Sequence, residues 1–202
     1  MKKLMPLTLA ALLAATPLMA EVAAPAPAPA APAAKPAAAA APAKQAPAEP
    51  PYVKASFDAW DQKCFKTDSG KDPCQLYQLL KDGQGQPVAE LSVFDMPPGA
   101  QAAAGANVVA PLETLLTQGV TLSIDNSEAK HYPFSYCSAG GCVARIGLTA
   151  DELDKLKKGT SAVLIVVPAA APDKQVILSA SLKGFGKGFD EVVAANKAAA
   201  GQ

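Results

Sequence analysis

From residue 52 onward, short β-type runs follow one another, punctuated by turns, and some alternate apolar and polar positions with the two-residue period of a half-buried β-strand. Val176, Leu178, Ala180 and Leu182 fall on one side of such a run, with Ile177, Ser179 and Ser181 on the other. The same pattern predicts strands over 56–64, carrying Phe57 and Trp60, and over 74–80, carrying Leu76, Leu79 and Leu80. Further strands are expected over 88–94, 120–124, 131–137 and 142–148. Residues 162–167 are apolar without a break until Pro168, as a central strand would be. Turn residues separate the runs. Asp82-Gly83-Gln84-Gly85 predicts a hairpin between the second and third strands, and Pro97-Pro98-Gly99 ends the third. Residues 100–106 read as a Gly/Ala-rich loop, Asp125-Asn126 as a turn, and Ser138-Ala139-Gly140-Gly141 as the tip of another hairpin.

One helix stands out against this background, over about 150–158. Thr149 and Glu152 have the spacing of a capping box, Leu153 and Leu156 share a face, and Lys155, Lys157 and Lys158 suit the negative end of the helix dipole before Gly159. A weaker helical pattern covers 189–197. Many short strands and few helices predict an all-β fold, an antiparallel β-sandwich of the immunoglobulin-like kind with one short helix.

The N-terminal part follows neither period. Lys2 and Lys3 precede an uncharged apolar stretch from Leu4 to Leu18, and Leu18-Met19-Ala20 offers a small-residue cleavage site. This pattern predicts a secretory signal peptide over 1–20, too short to span a membrane stably. Of the 31 residues in 21–51, 25 are Ala or Pro. Such a segment buries no core, and polyproline II would extend it to roughly 95 Å, so it reads as a disordered Ala/Pro-rich stalk. What remains, 52–202, is 151 residues, enough for a single domain with a real core. It holds 14 Lys plus Arg and 16 Asp plus Glu, a net charge of −2, so no basic face is expected to draw nucleic acid. No later apolar run reaches membrane-spanning length.

An even number of cysteines in an exported domain reads as disulfides. Cys64 with Cys74 and Cys137 with Cys142 are favoured, because each pair is close in sequence and flanks turn residues, Gly70 and Pro73 for the first, Gly140 and Gly141 for the second. The rival is a four-cysteine zinc site, whose spacing here would be C-x₉-C and C-x₄-C rather than the tight pairs of zinc ribbons. No C-x-x-C motif is present for a redox centre.

Candidate chemistry is sparse. His131 is the one histidine, and it sits among polar residues where a strand edge is expected. Neither G-x-S-x-G nor H-E-x-x-H occurs. The acids Asp58, Asp61, Glu90 and Asp95 lie on or near strands and define the alternative function, a glycan hydrolase using paired carboxylates. Asp151, Glu152 and Asp154 read as helix N-terminal acids rather than as a calcium loop. Gly184, Gly186 and Gly188 lack the strand–loop–helix setting of a phosphate loop. Tyr132, Phe134 and Tyr136 alternate with His131, Pro133 and Ser135, which suits packing on one sandwich face or, alternatively, an aromatic binding strip. No cofactor is called for.

Taken together, several segments resemble the invasion-associated locus B family of exported alphaproteobacterial proteins. They are Trp60 followed by Cys64 and Cys74; Val108-Val109-Ala110-Pro111-Leu112 leading to Gly119-Val120; Pro133-Phe134-Ser135-Tyr136-Cys137 with Gly141-Cys142-Val143-Ala144; and Ser181-Leu182-Lys183-Gly184-Phe185. The resemblance covers about residues 56–193. It implies a small disulfide-bonded β-sandwich in the periplasm or at the cell surface, with Gly184, Gly186 and Gly188 at a strand end and turn. In pathogens the founding members are linked to entry into host cells, red blood cells included. The resulting expectation is a non-enzymatic module, periplasmic and in further alternatives surface-associated or secreted. It would bind a protein or glycan of the envelope or host surface, with Tyr132, Phe134 and Tyr136 as candidate contacts.

Overall fold

A computed structural model describes residues 49–125 and 127–201. The expected signal peptide, the stalk apart from its last three residues, and Asn126 of the expected turn lie outside them. The strands are β1 (Tyr52–Phe57), β2 (Trp60–Cys64), β3 (Cys74–Lys81), β4 (Pro87–Asp95), β5 (Ala104–Ala110), β6 (Val120–Ile124), β7 (Lys130–Tyr132), β8 (Phe134–Ser138), β9 (Gly141–Leu148), β10 (Ser161–Val166) and β11 (Val176–Ser181). Helix α1 (Ala150–Lys158) lies between β9 and β10, and α2 (Phe185–Ala200) follows β11. Every strand pairing is antiparallel, so the fold is all-β as the alternation predicts.

The strands form one hydrogen-bonded sheet in the order β7-β6-β10-β11-β3-β4-β5-β9-β8, with β1 and β2 branching from β3. Its two end strands are separated in sequence by Pro133 alone. Residues 130–132 pair with β6 at one edge, and residues 134–138 pair with β9 at the other. One passage of chain therefore stitches both edges and nearly closes the sheet on itself. The single strand expected over 131–137 is thus two strands. Proline has no N–H for a ladder, and it sits at the corner where the chain changes edges.

Three other boundaries differ from the pattern-based expectation. The run 56–64 is a hairpin, turned at Asp58 with φ 52 and Ala59, without the Gly or Asn that usually announces such a turn. Ala104, Gly105 and Ala106 belong to β5 rather than to a loop. A side chain at Gly105 would run into the Phe94 ring, so small residues are what this strand needs. Helix α2 begins at Phe185, taking in Gly186 and Gly188, which are neither strand end nor turn. Gly188 lies where the helix crosses the sheet, and a Cβ there would come within 2.7 Å of Leu76. Gly184, at φ +86, caps the helix start against the Phe57 carbonyl, a conformation and a space that favour glycine.

The core lies between the sheet's curled halves and α2. Trp60, Leu76, Leu80, Val108, Val120, Leu164, Leu178 and Phe185 are all fully buried. The Phe185 ring meets Trp60 edge-on at 5.1 Å and stacks on Phe189 at 5.8 Å. Where β2 and β11 diverge beside β3, two side chains fill the fork. Trp60 Nε1 donates to the Ser181 carbonyl at 2.7 Å. The buried Gln78 amide donates to the same carbonyl and to that of Ala59, while its Oε1 accepts from the Ser181 N–H at 3.0 Å. Side chains thus satisfy backbone groups that no strand pairs there. Among the described residues, every buried side-chain nitrogen and oxygen has a partner.

Candidate functional site

Each strand of the β3-β4-β5-β9 sheet sends alternate side chains inward to the core and outward. Register decides which outward ones meet. Leu79 lies opposite Glu90, Glu90 opposite Val109, Val109 opposite Val143, and Val143 opposite Tyr136 on β8. This row crosses five strands. A second, parallel row runs Asp61, Tyr77, Ser92, Asn107, Arg145 from β2 to β9. Leu79 and Tyr136 are exposed by 42% and 47%, high for side chains of their size on a strand. The Arg145 guanidinium stands 5.2 Å from the Tyr136 ring centroid and links the two rows. A depression of about 280 Å³ opens at the end of the first row, between Leu79, Glu90, Val109, Pro111 and Gly140.

Tyr77, in the second row, is a fixed member. Lys63 Nζ lies 3.0 Å above its ring. Its phenol pKa is pushed up to about 12, first by burial and then by the negative charges of Glu90 and Asp61. The hydroxyl therefore stays protonated in the folded protein at neutral pH.

The three aromatics expected to form one strip are divided by the edge change at Pro133. Tyr132 is half-buried on β7, and its hydroxyl donates to Glu152 Oε1 at 3.3 Å. Phe134 is half-buried against the core from β8. Tyr136 alone among them is exposed on the outer sheet face, past a register shift between 134 and 136. His131 is exposed on β7, opposite Thr121, and its ring lies against Gly119.

Glu152 completes the capping box of α1. Its Oε2 accepts from the Thr149 N–H and hydroxyl at 2.8 and 2.9 Å, and its Oε1 accepts from Lys130 Nζ at 2.7 Å. Burial alone would raise its pKa. The bond from Lys130 and those from Thr149 outweigh burial and hold the carboxyl down at about 2. A cavity of about 250 Å³ lies here, lined by Lys130, Tyr132, Glu152 and Lys155, but Glu152 is already bound to Lys130, Thr149 and Tyr132. It is a seam between helix and sheet edge.

Of the four acids of the hydrolase alternative, Asp61 and Glu90 both lie near Tyr77, and Asp58 and Asp95 have other surroundings. Asp58, in the β1–β2 turn, pairs with Lys183 at 2.9 Å, and Asp61 accepts from Ser56 at 2.7 Å. Glu90 lines the depression beside Pro111, whereas Asp95 accepts from Asn196 in a different groove, of about 380 Å³, beside α2. Cys64 is bonded to Cys74 and Cys137 to Cys142, with no free cysteine. Among the described residues, no three His, Cys, Asp or Glu side chains converge as metal ligands would. No helix among them is long and apolar enough to cross a membrane.

A family model described as invasion associated locus B (IalB) protein matches residues 60–193. Two invasion protein B homologues of Brucella abortus, from strain 2308 and from biovar 1 strain 9-941, are each 34% identical over 82 residues, covering 41% of this chain and 47% of theirs. The chain thus spans about half the length of these relatives. The crystal structure of invasion associated protein B from Bartonella henselae matches with a TM-score of 0.60 at 22% identity, over 71% of this chain and 97% of that one. That likeness is one of fold.

Proposed function

Since the chain belongs to the invasion associated locus B family, we propose that it is an exported interaction module which holds its partner on the outer face of the β3-β4-β5-β9-β8 sheet. The observation that carries this reading is the five-strand row ending in exposed Tyr136 and Leu79, with Arg145 beside it. Aromatic and arginine side chains are the usual anchors of binding surfaces, and here Tyr136 and Leu79 are the exposed apolar ends of the row, with Arg145 beside Tyr136. The partner is a protein or glycan of the envelope or of a host surface. The signal-peptide pattern and the Ala/Pro stalk support export, to the periplasm or beyond it. The family and its Brucella and Bartonella relatives are named for invasion, which supports a role there. Glu90 and Asp95 line separate depressions, and neither Asp58 nor Asp61 lines either one, which argues against the glycan-hydrolase alternative, since glycosidases bring two carboxyls together in one groove.

The test compares two variants of the full chain for binding to envelope fractions and to host-cell surfaces. Tyr136→Ala should weaken binding by about 1 kcal/mol or more, as loss of an interface anchor does. His131→Ala should leave it unchanged. If His131→Ala abolished activity while the fold survived, an enzyme would have to be sought instead.

A further inference from the structure

The two disulfides are alike in covalent setting and opposite in environment. Each joins residues directly opposed in neighbouring antiparallel strands, Cys64 to Cys74 across β2–β3 and Cys137 to Cys142 across β8–β9. Cys64 and Cys74 are 0% and 4% exposed. The Cys74 N–H and carbonyl are both held by the Asn196 side chain of α2, at 2.7 and 3.0 Å, so helix and bridge must part together before either sulfur is reached. Cys137 is exposed on β8, the last strand of the sheet path, whereas its partner Cys142 is buried. Beyond the bridge lies only the turn through Ala139 and Gly140, closed by the Ser138–Gly141 pair. Phe134 packs against the core further back along the strand, so the hairpin tip has little to lose on opening.

We infer that the Cys137–Cys142 bridge is a thiol-exchange site, open to an external thiolate at Cys137, while Cys64–Cys74 is a closed structural bridge. Exchange needs a thiolate and access to a sulfur, and only the β8–β9 bridge offers access in the folded chain. An incoming thiolate attacks Cys137 Sγ and forms a mixed disulfide there. The Cys137–Cys142 bond breaks, and Cys142 leaves with the electron pair and takes a proton from water. The step reverses when the Cys142 thiolate attacks Cys137 Sγ and expels the captured thiol. No oxidant is consumed, because one disulfide is exchanged for another. The co-reactant is a small thiol or the dithiol of an oxidoreductase; with the dithiol, its second thiolate attacks its own sulfur in the mixed disulfide and expels Cys137, which takes a proton from water, so the oxidoreductase leaves oxidised to its disulfide and Cys137 and Cys142 leave as thiols. The site adjoins the proposed binding face, since Cys137 follows Tyr136 on β8 and the bridge joins the same two strands.

The native full chain is incubated with reduced glutathione or, separately, with a reduced C-x-x-C oxidoreductase. Exchange is quenched with acid, free thiols are alkylated, and peptides are mapped by mass. Glutathione should appear on Cys137, with Cys142 alkylated, about 100-fold or more faster than either Cys64 or Cys74 is modified, since reaching those requires a larger opening. The dithiol protein should leave Cys137 and Cys142 both as free thiols with Cys64–Cys74 intact. Reaction in either arm supports the site and identifies the source that reaches it. The inference is overturned if both bridges open at one rate, if Cys64–Cys74 opens first, if glutathione attaches to Cys142, or if neither arm reacts before the protein unfolds.

Discussion

The inner and outer faces of the β3-β4-β5-β9 sheet are built from the same strands and differ in what holds them. Inward, Leu76, Leu80, Leu91, Val93, Val108, Ala144 and Ile146 are at most 4% exposed and meet α2 or the opposite half of the sheet. Outward, Tyr77, Leu79, Glu90, Asn107, Arg145 and Tyr136 form two rows ordered by cross-strand register. A substitution inside removes packing that the whole fold shares. A substitution outside removes a neighbour from a row and little else. On the proposed reading, stability and recognition are carried by alternate residues of one strand and are separable by mutation.

The largest expected effect is inside. Trp60→Ala should cost about 3–5 kcal/mol in chemical denaturation, through lost burial and the cavity left against Phe185. A cost below about 1 kcal/mol would break the contrast, because the inner face would then not be what holds the fold. Gln78→Ala should cost about 1–3 kcal/mol, since the Ser181 N–H and the Ala59 carbonyl lose their partner in the fork. Here Gln78 sharpens the comparison: it is polar, yet it belongs to the inner face and should behave as such.

Glu152 tests a group on neither face. Its carboxyl titrates at about 2 when folded against an ordinary value of 4.5. The ionised form is favoured by folding, so its contribution is complete above about pH 4.5 and is lost as pH falls toward 2. Glu152→Gln should flatten the acid limb of stability over that window. An unchanged acid limb would remove the Lys130–Glu152 seam from the account. Smallest of all, His131→Ala should change stability by no more than about 0.5 kcal/mol, as for an exposed edge residue.

Much of the inner face is legible from the amino-acid pattern, because burial imposes a period on each strand separately. The strands β3, β4, β6, β9 and β11 follow from their own apolar and turn patterns, β10 from its unbroken apolar run, and α1 from Thr149 and Glu152. The outer rows are a different kind of information. Leu79, Val109 and Tyr136 are far apart in sequence and meet only through the registers of four strand pairs. No local signal marks them. Alternation also runs unbroken through Tyr132, Phe134 and Tyr136, so it hides the edge change at Pro133 that sends them to different surroundings. The small residues of β5 and the glycines of α2 look like loop in composition. They are small because Phe94, Leu76 and Phe57 lie close against them. Asp58 turns the first hairpin in a left-handed conformation without a glycine to announce it.

The most direct test of the separation between faces is a double variant of the outer row, Leu79→Asp with Tyr136→Asp in the full chain, measured in parallel with the native chain for thermal stability and for binding to envelope fractions and host-cell surfaces. A melting temperature within a few degrees of native, with affinity reduced roughly 10-fold or more, is the predicted result. Native affinity in a folded double variant would contradict the account and move recognition off this face.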